Sequence, residues 1–131
     1  MPDNFVFEFQ DSEVSSAELK EQQFVVQFSA AHVHRSRSKD GIDLDGFLHA
    51  LVLTIFQPST IQKDSGCLGR ISQGELRVEG NRITRVPIPY EANANVELEL
   101  SFSNGSMCRV SGQHVTLNAT GEVKFVEWLR C

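Results

Sequence analysis

Three of the four histidines of this chain fall within eighteen residues, in the stretch SAAHVHRSRSKDGIDLDGFLHA. His32 and His34 are two positions apart, so an extended segment projects both imidazoles from the same side, as a strand does when it offers two nitrogens to one metal. His49 follows the intervening loop and would return alongside if the flanking segments form a hairpin. The three histidines are then candidate ligands for a divalent transition metal: zinc, iron or manganese. The competing reading satisfies these imidazoles with backbone or solvent, the commoner fate of histidine near a strand end. Between the histidines, Arg35, Arg37 and Lys39 alternate and would line one side of an extended segment, a candidate anion site. Asp40, Asp43 and Asp45 follow at once, so the loop is close to neutral and a solvated, self-pairing loop is favoured. The ligand spacing of a calcium loop is not met in DGIDLDG.

Other chemistries find less support. The His-x-His pair resembles the first metal motif of the cupins in those two residues, which implies a metal-dependent enzyme on a small barrel. Where that motif carries a glutamate four or five residues beyond the second histidine, this chain has Ser38 and Lys39. His114 is the only candidate for the histidine that a cupin places on a later strand. No G-x-S-x-G elbow is present, and Cys67, in SGCLGR, has no histidine placed beside it by local sequence. Glu97 and Glu99 occupy the polar side of an amphipathic strand, so exposure explains them without acid or base work. Cys67, Cys108 and Cys131 show no C-x-x-C spacing and are odd in number, which argues against a disulfide framework or a zinc ribbon. Two packed thiols and one terminal thiol are expected. Arg70, Arg77, Arg82, Arg85 and Arg109 fall on adjacent strands, where Glu75 and Glu79 favour cross-strand ion pairs on an outer face.

The elements that must position these residues are strands. Period-2 alternation dominates: Phe5, Phe7 and Phe9 share one side of FVFEFQ, and Val96, Leu98, Leu100 and Phe102 share one side of VELELSF. SEVSSAEL and FVVQF read as the arms of a hairpin turning at KEQQ. In FVVQFSAAHVH one face carries Phe24, Val26, Phe28, Ala30, His32 and His34. FLHALVLTIF, apolar on both faces, reads as a central strand covered on two sides. Glycines in SQGEL and VEGNRI mark turns between strands at 67–72, 75–79 and 82–88. A three-residue loop of Ser103, Asn104 and Gly105 pairs Leu100 with Cys108 and Leu98 with Val110, keeping apolar groups on one face. Pro87 and Pro89 lack donors on the same side of VPIPY, so an unpaired edge is expected there.

The sum is an all-β fold: one antiparallel domain over residues 1–131, a β-barrel or two-sheet sandwich of about 8–10 short strands with largely meander connectivity, and a loop at 35–46 joining two long strands. Its 131 residues suit a single core. A net charge of −5 disfavours nucleic acid as partner. The N-terminus lacks an export signal and the longest apolar run is too short for a membrane helix, so a soluble cytoplasmic protein is expected. The expected function is a non-enzymatic module that binds a small molecule or a protein partner, with no cofactor required. The alternatives are the histidine-based metal enzyme and a structural subunit that buries its doubly apolar strands in a homodimer.

Overall fold

A computed structural model describes residues 4–36 and 46–120, the side chains of residues 4, 5, 34–36 and 46–49 excepted. Eleven strands make up the architecture: β1 (Asn4–Lys20), β2 (Gln23–Ser36), β3 (Gly46–Phe56), β4 (Thr60–Lys63), β5 (Gly69–Val78), β6 (Asn81–Ile83), β7 (Arg85–Ile88), β8 (Tyr90–Ala92), β9 (Val96–Phe102), β10 (Met107–Gly112) and β11 (Val115–Ala119). All ladders are antiparallel, and the described residues form no helix. The fold class is therefore all-β, as the alternation requires. The first three strands are long rather than short, and the total passes the expected 8–10.

The strands join into one sheet in the order β4-β10-β9-β5-β1-β2-β3-β11-β8, with β6 added to β5 and β7 to β1. Sequence-adjacent hairpins account for β1–β2, β2–β3, β5–β6 and β9–β10. The remaining ladders join strands that are not sequence neighbours, which departs from the expected meander, and β1 is long enough to take two partners on its second edge. Phe5–Glu8 face β7, and Glu13 and Val14 face β5. β7 is paired on one side only among the described residues, which is the edge that Pro87 requires.

Among the described residues the sheet ends in β4 and β8, which do not pair with each other, so it is not closed. It nevertheless folds over on itself at a corner where β3 runs toward β4 alongside β10 running toward β11. Two backbone hydrogen bonds carry the ladder round this corner, Phe56 N–H to the His114 carbonyl (2.9 Å) and Ser59 N–H to the Ser111 carbonyl (2.8 Å). The fold-over encloses one core, in which Phe7 packs edge-on against Phe9 (centroids 4.7 Å) and Phe28 (4.9 Å). β9 shows the unbroken pattern, with Val96, Leu98, Leu100 and Phe102 buried and the intervening residues only partly covered.

The two longest strands break that pattern. In β2 the residues buried are Phe24, Val26 and Phe28, then Ala31 and Val33; a register shift between Phe28 and Ala31 exchanges the faces. The expectation that Ala30 and His32 continue the Phe28 face is therefore corrected. A matching irregularity interrupts β1 between Glu8 and Glu13, with Asp11 left-handed at φ 71°. The bulges are joined by Ser12, a fully buried hydroxyl. Its Oγ donates to the Glu8 carbonyl and accepts the His32 N–H, both at 2.8 Å. The hydroxyl thereby bridges the two interrupted strands.

Gly74 also departs from expectation. It lies inside β5 instead of at a turn, merging the anticipated strands at 67–72 and 75–79. A Cβ on Gly74 would come within 2.7 Å of the Phe9 Cβ, so glycine is needed where β5 crosses a core phenylalanine. The 103–105 loop conforms: Gly105 has φ 93°, and Leu100 pairs with Cys108 and Leu98 with Val110.

Ser12→Ala is expected to lower the unfolding free energy by about 1–3 kcal/mol, since it removes a fully buried hydroxyl and the two hydrogen bonds by which it bridges β1 and β2. Ser15→Ala, at an exposed position of the same strand, is expected to change it by less than about 0.5 kcal/mol. Urea titrations of the two variants check the difference.

Candidate functional site

His32 lies on the outer face of the sheet because of the β2 bulge. Its Nδ1 is 3.8 Å from Glu8 Oε1, and the imidazole is about one-third exposed at 35%. His34 is followed as backbone opposite Val6 and Gly46, and His49 as backbone opposite Ala31. The side chains of His34, His49 and Arg35 lie outside the described residues, as do Arg37 and Lys39 entirely. Among the described residues, no three histidine, cysteine, aspartate or glutamate side chains converge to hold a metal.

The arginines anticipated on an outer face are placed there, each with a carboxylate. Arg77 meets Glu97 at 2.7 Å and Glu75 at 2.6 Å, the second as an ion pair to a buried oxygen rather than an aligned hydrogen bond. Arg82 pairs with Glu75, Arg109 with Glu99, Arg85 with Glu8, and Arg70 with Asp11. The charges are neutralised where they stand, giving a network across β5, β6, β9 and β10 in place of a basic face.

A concave, polar feature lies at the other end of the β2–β3 ribbon, near the corner, the roomiest of three polar clefts among the described residues at about 440, 330 and 300 Å³. There four neutral amides from separate connections converge: Gln22 in the β1–β2 turn, Gln57 after β3, Asn93 after β8 and Gln113 between β10 and β11. They line a cavity of about 440 Å³, with Phe56 and His114 as its aromatic wall. The rings of Phe56 and His114 stack with centroids 4.6 Å apart and planes inclined by 27°. His114 Nε2 lies 2.6 Å from Glu91 Oε2, which fixes the imidazole edge while Phe56 fixes its face.

The backbone locks these connections to one another. Gln57 N–H donates to the Gln22 carbonyl at 2.8 Å, beside the Phe56 to His114 bond described above. Glu21, Gln22 and Gln57 all border the cavity, and all three are left-handed, at φ 49°, 67° and 49°. Glu21 and Gln22 form a two-residue hairpin turn in which both central residues have positive φ, a geometry that asparagine and glycine adopt at least cost. Long side chains are kept there against the local backbone preference, and such outliers concentrate at binding sites.

None of the four amides carried a chemical motif, and each reads in isolation as an ordinary turn residue. Only the ladder order brings them together: β2, β3, β11 and β8 are consecutive in the sheet, so the connections at one end of these strands become neighbours. No protein-family model, no curated protein and no solved structure matches this chain. The reading of the site rests on its geometry.

The double substitution Glu21→Asn with Gln22→Gly, and separately Gln57→Gly, should each raise the unfolding free energy by about 0.5–1 kcal/mol by removing left-handed strain. Thermal and urea denaturation of the variants measure it; a loss of stability in both would show that the turn conformations are not strained.

Proposed function

We propose that this protein is a non-enzymatic binding module whose cavity beside the Phe56–His114 stack takes a small, neutral, hydroxyl-rich ligand of saccharide type. One observation carries the reading: five uncharged amides, Gln23 at the start of β2 and the four from the connections, each able to donate and accept, surround an oriented aromatic wall in one cavity. An amide presents a donor and an acceptor on the same plane, matching adjacent hydroxyls on a ring. The aromatic wall offers an apolar surface to the C–H groups that such a ligand also carries.

The volume lies within the range of small-molecule sites, about 300–1,000 Å³. The lining is more polar than sites for apolar ligands, so a ligand that merely hides hydrocarbon would leave the amides unpaired, at a cost of about 1–3 kcal/mol for each buried group. Charge points the same way. The ionisable groups around the cavity are Glu21, Glu91 and His114, a set that repels anionic ligands rather than gathering them. A soluble module bringing such a ligand to a partner protein is the expected setting.

Titration of isotopically labelled protein with neutral mono- and disaccharides should give saturable chemical-shift changes at Gln57, Gln113 and His114, while sugar phosphates should bind less well. Gln113→Ala is expected to weaken binding about 2–10-fold, the worth of one neutral hydrogen bond. Phe56→Ala is expected to weaken it further. Shifts confined to other faces, or no saturation by any neutral sugar, would reject the proposal.

A further inference from the structure

We propose that Cys67 and Cys108 are a dithiol–disulfide modification site, closed to an intramolecular disulfide by exchange with a low-molecular-weight disulfide. Cys67 lies in the connection between β4 and β5, and Cys108 lies within β10. Far apart in sequence, the two thiols are neighbours in the core, close enough for each to shift the other's ionisation. Both residues are almost completely enclosed, at 2% and 1% exposure, and neither is tied up in a disulfide.

What holds the sulfurs together does not depend on them. Asp64 N–H donates to the Met107 carbonyl at 3.0 Å, and Met107 N–H donates back to Asp64 Oδ2 at 2.9 Å. Asn104 Nδ2 donates to the Gly66 carbonyl at 2.8 Å. With Ser103 N–H donating to the Arg70 carbonyl at 2.9 Å, the chain is clamped before and after Cys67 against the hairpin carrying Cys108. Cys67 Sγ donates to the Met107 carbonyl at 3.2 Å, which aims it at the residue beside Cys108. A disulfide needs the two Cα atoms within about 7 Å and the Cβ vectors converging; a Cys67 sulfur held against the residue next to Cys108, in the same buried cluster, leaves a short distance to close.

The environment assigns the two sulfurs different roles. Burial pushes Cys108 up to about 12, reinforced by the neighbouring Cys67. Cys67 is also raised by burial, against which a backbone hydrogen bond at Asp64 and the charge of Lys63 act. Cys67 is therefore the easier thiolate to form, and its place in a connection rather than inside a strand makes it the sulfur that a local opening exposes. Cys108, in the middle of a three-strand ladder between β4 and β9, stays in place as the resolving thiol.

Cys67 gives up its proton to solvent, and its thiolate attacks one sulfur of the small disulfide, forming a mixed disulfide and expelling one thiolate. Cys108 then loses its proton and attacks Cys67 Sγ, forming the protein disulfide and expelling the second thiolate. Both expelled thiolates take up protons. The protein has lost two protons and two electrons, and the oxidant has been reduced to two thiols.

The test uses the full chain carrying Cys131→Ser, so that two thiols remain, incubated with oxidised glutathione just below the unfolding transition. The expected product has lost the mass of two hydrogens, carries no glutathione, shows no free thiol after denaturation and unfolds at higher temperature, reversibly with dithiothreitol. Cys108→Ser should instead stop at a glutathione adduct on Cys67, and peptide mapping of the unsubstituted chain should find Cys67 joined to Cys108. Persistence of both thiols, accumulation of an adduct without closure in the two-thiol chain, or pairing of either cysteine with Cys131 would overturn the proposal.

Discussion

The buried hydroxyl of Ser12 is the constraint on which the rest of the molecule depends. A strand of the length of β1 or β2, if regular, keeps one face toward one neighbour and cannot follow a sheet that folds over on itself. Both strands are interrupted at the same level, and Ser12 closes the gap by accepting from His32 and donating to Glu8. The fold-over then becomes possible: one half of β1 lies along β7, the other along β5, and the phenylalanines of β1 and β2 meet in a single core. An isolated polar group in such a core costs more than a hydrogen bond ordinarily returns, so the geometry of the double bulge is narrowly specified.

The alternation of VELELSF and the Ser103–Gly105 loop were legible because every cue there agrees: apolar phase, turn residues and the left-handed glycine point to one register. The bulges were not legible because the residues around them are permissive. In SAAHV small side chains occupy both faces, so either phase buries something apolar, and nothing local marks the slip. Asp11 is the one local sign in β1, since aspartate tolerates positive φ better than most residues. Gly74 shows the reverse failure. A glycine between alternating runs reads as a turn, yet here it answers to Phe9 on a different strand, a partner that no window around Gly74 contains.

The same reasoning explains why histidine spacing was a poor guide to the concave polar site. His32 and His34 are conspicuous because they are close in sequence, whereas residues that line a cavity in a β fold come from connections that are distant in sequence and adjacent in ladder order. Gln22, Gln57, Asn93 and Gln113 satisfy that condition. Finding them required the pairing of β11 with both β3 and β8, which depends on contacts spanning much of the chain.

The cavity also follows from the corner that closes the core. Along β3 the inward phase is taken by Leu51, Leu53 and Ile55, which leaves Phe56 on the outward phase at the point where the strand bends toward β4. An outward phenylalanine needs cover, and the neighbouring strand supplies His114, itself held by Glu91. That cover is incomplete, because the chain on either side must turn and the turning residues are amides with exposed heads. A half-covered aromatic ringed by hydrogen-bonding groups is the result. The bend that allows the sheet to enclose its apolar side thus creates, on the opposite side, the amphipathic surface that a ring-shaped, hydroxyl-bearing ligand would complete.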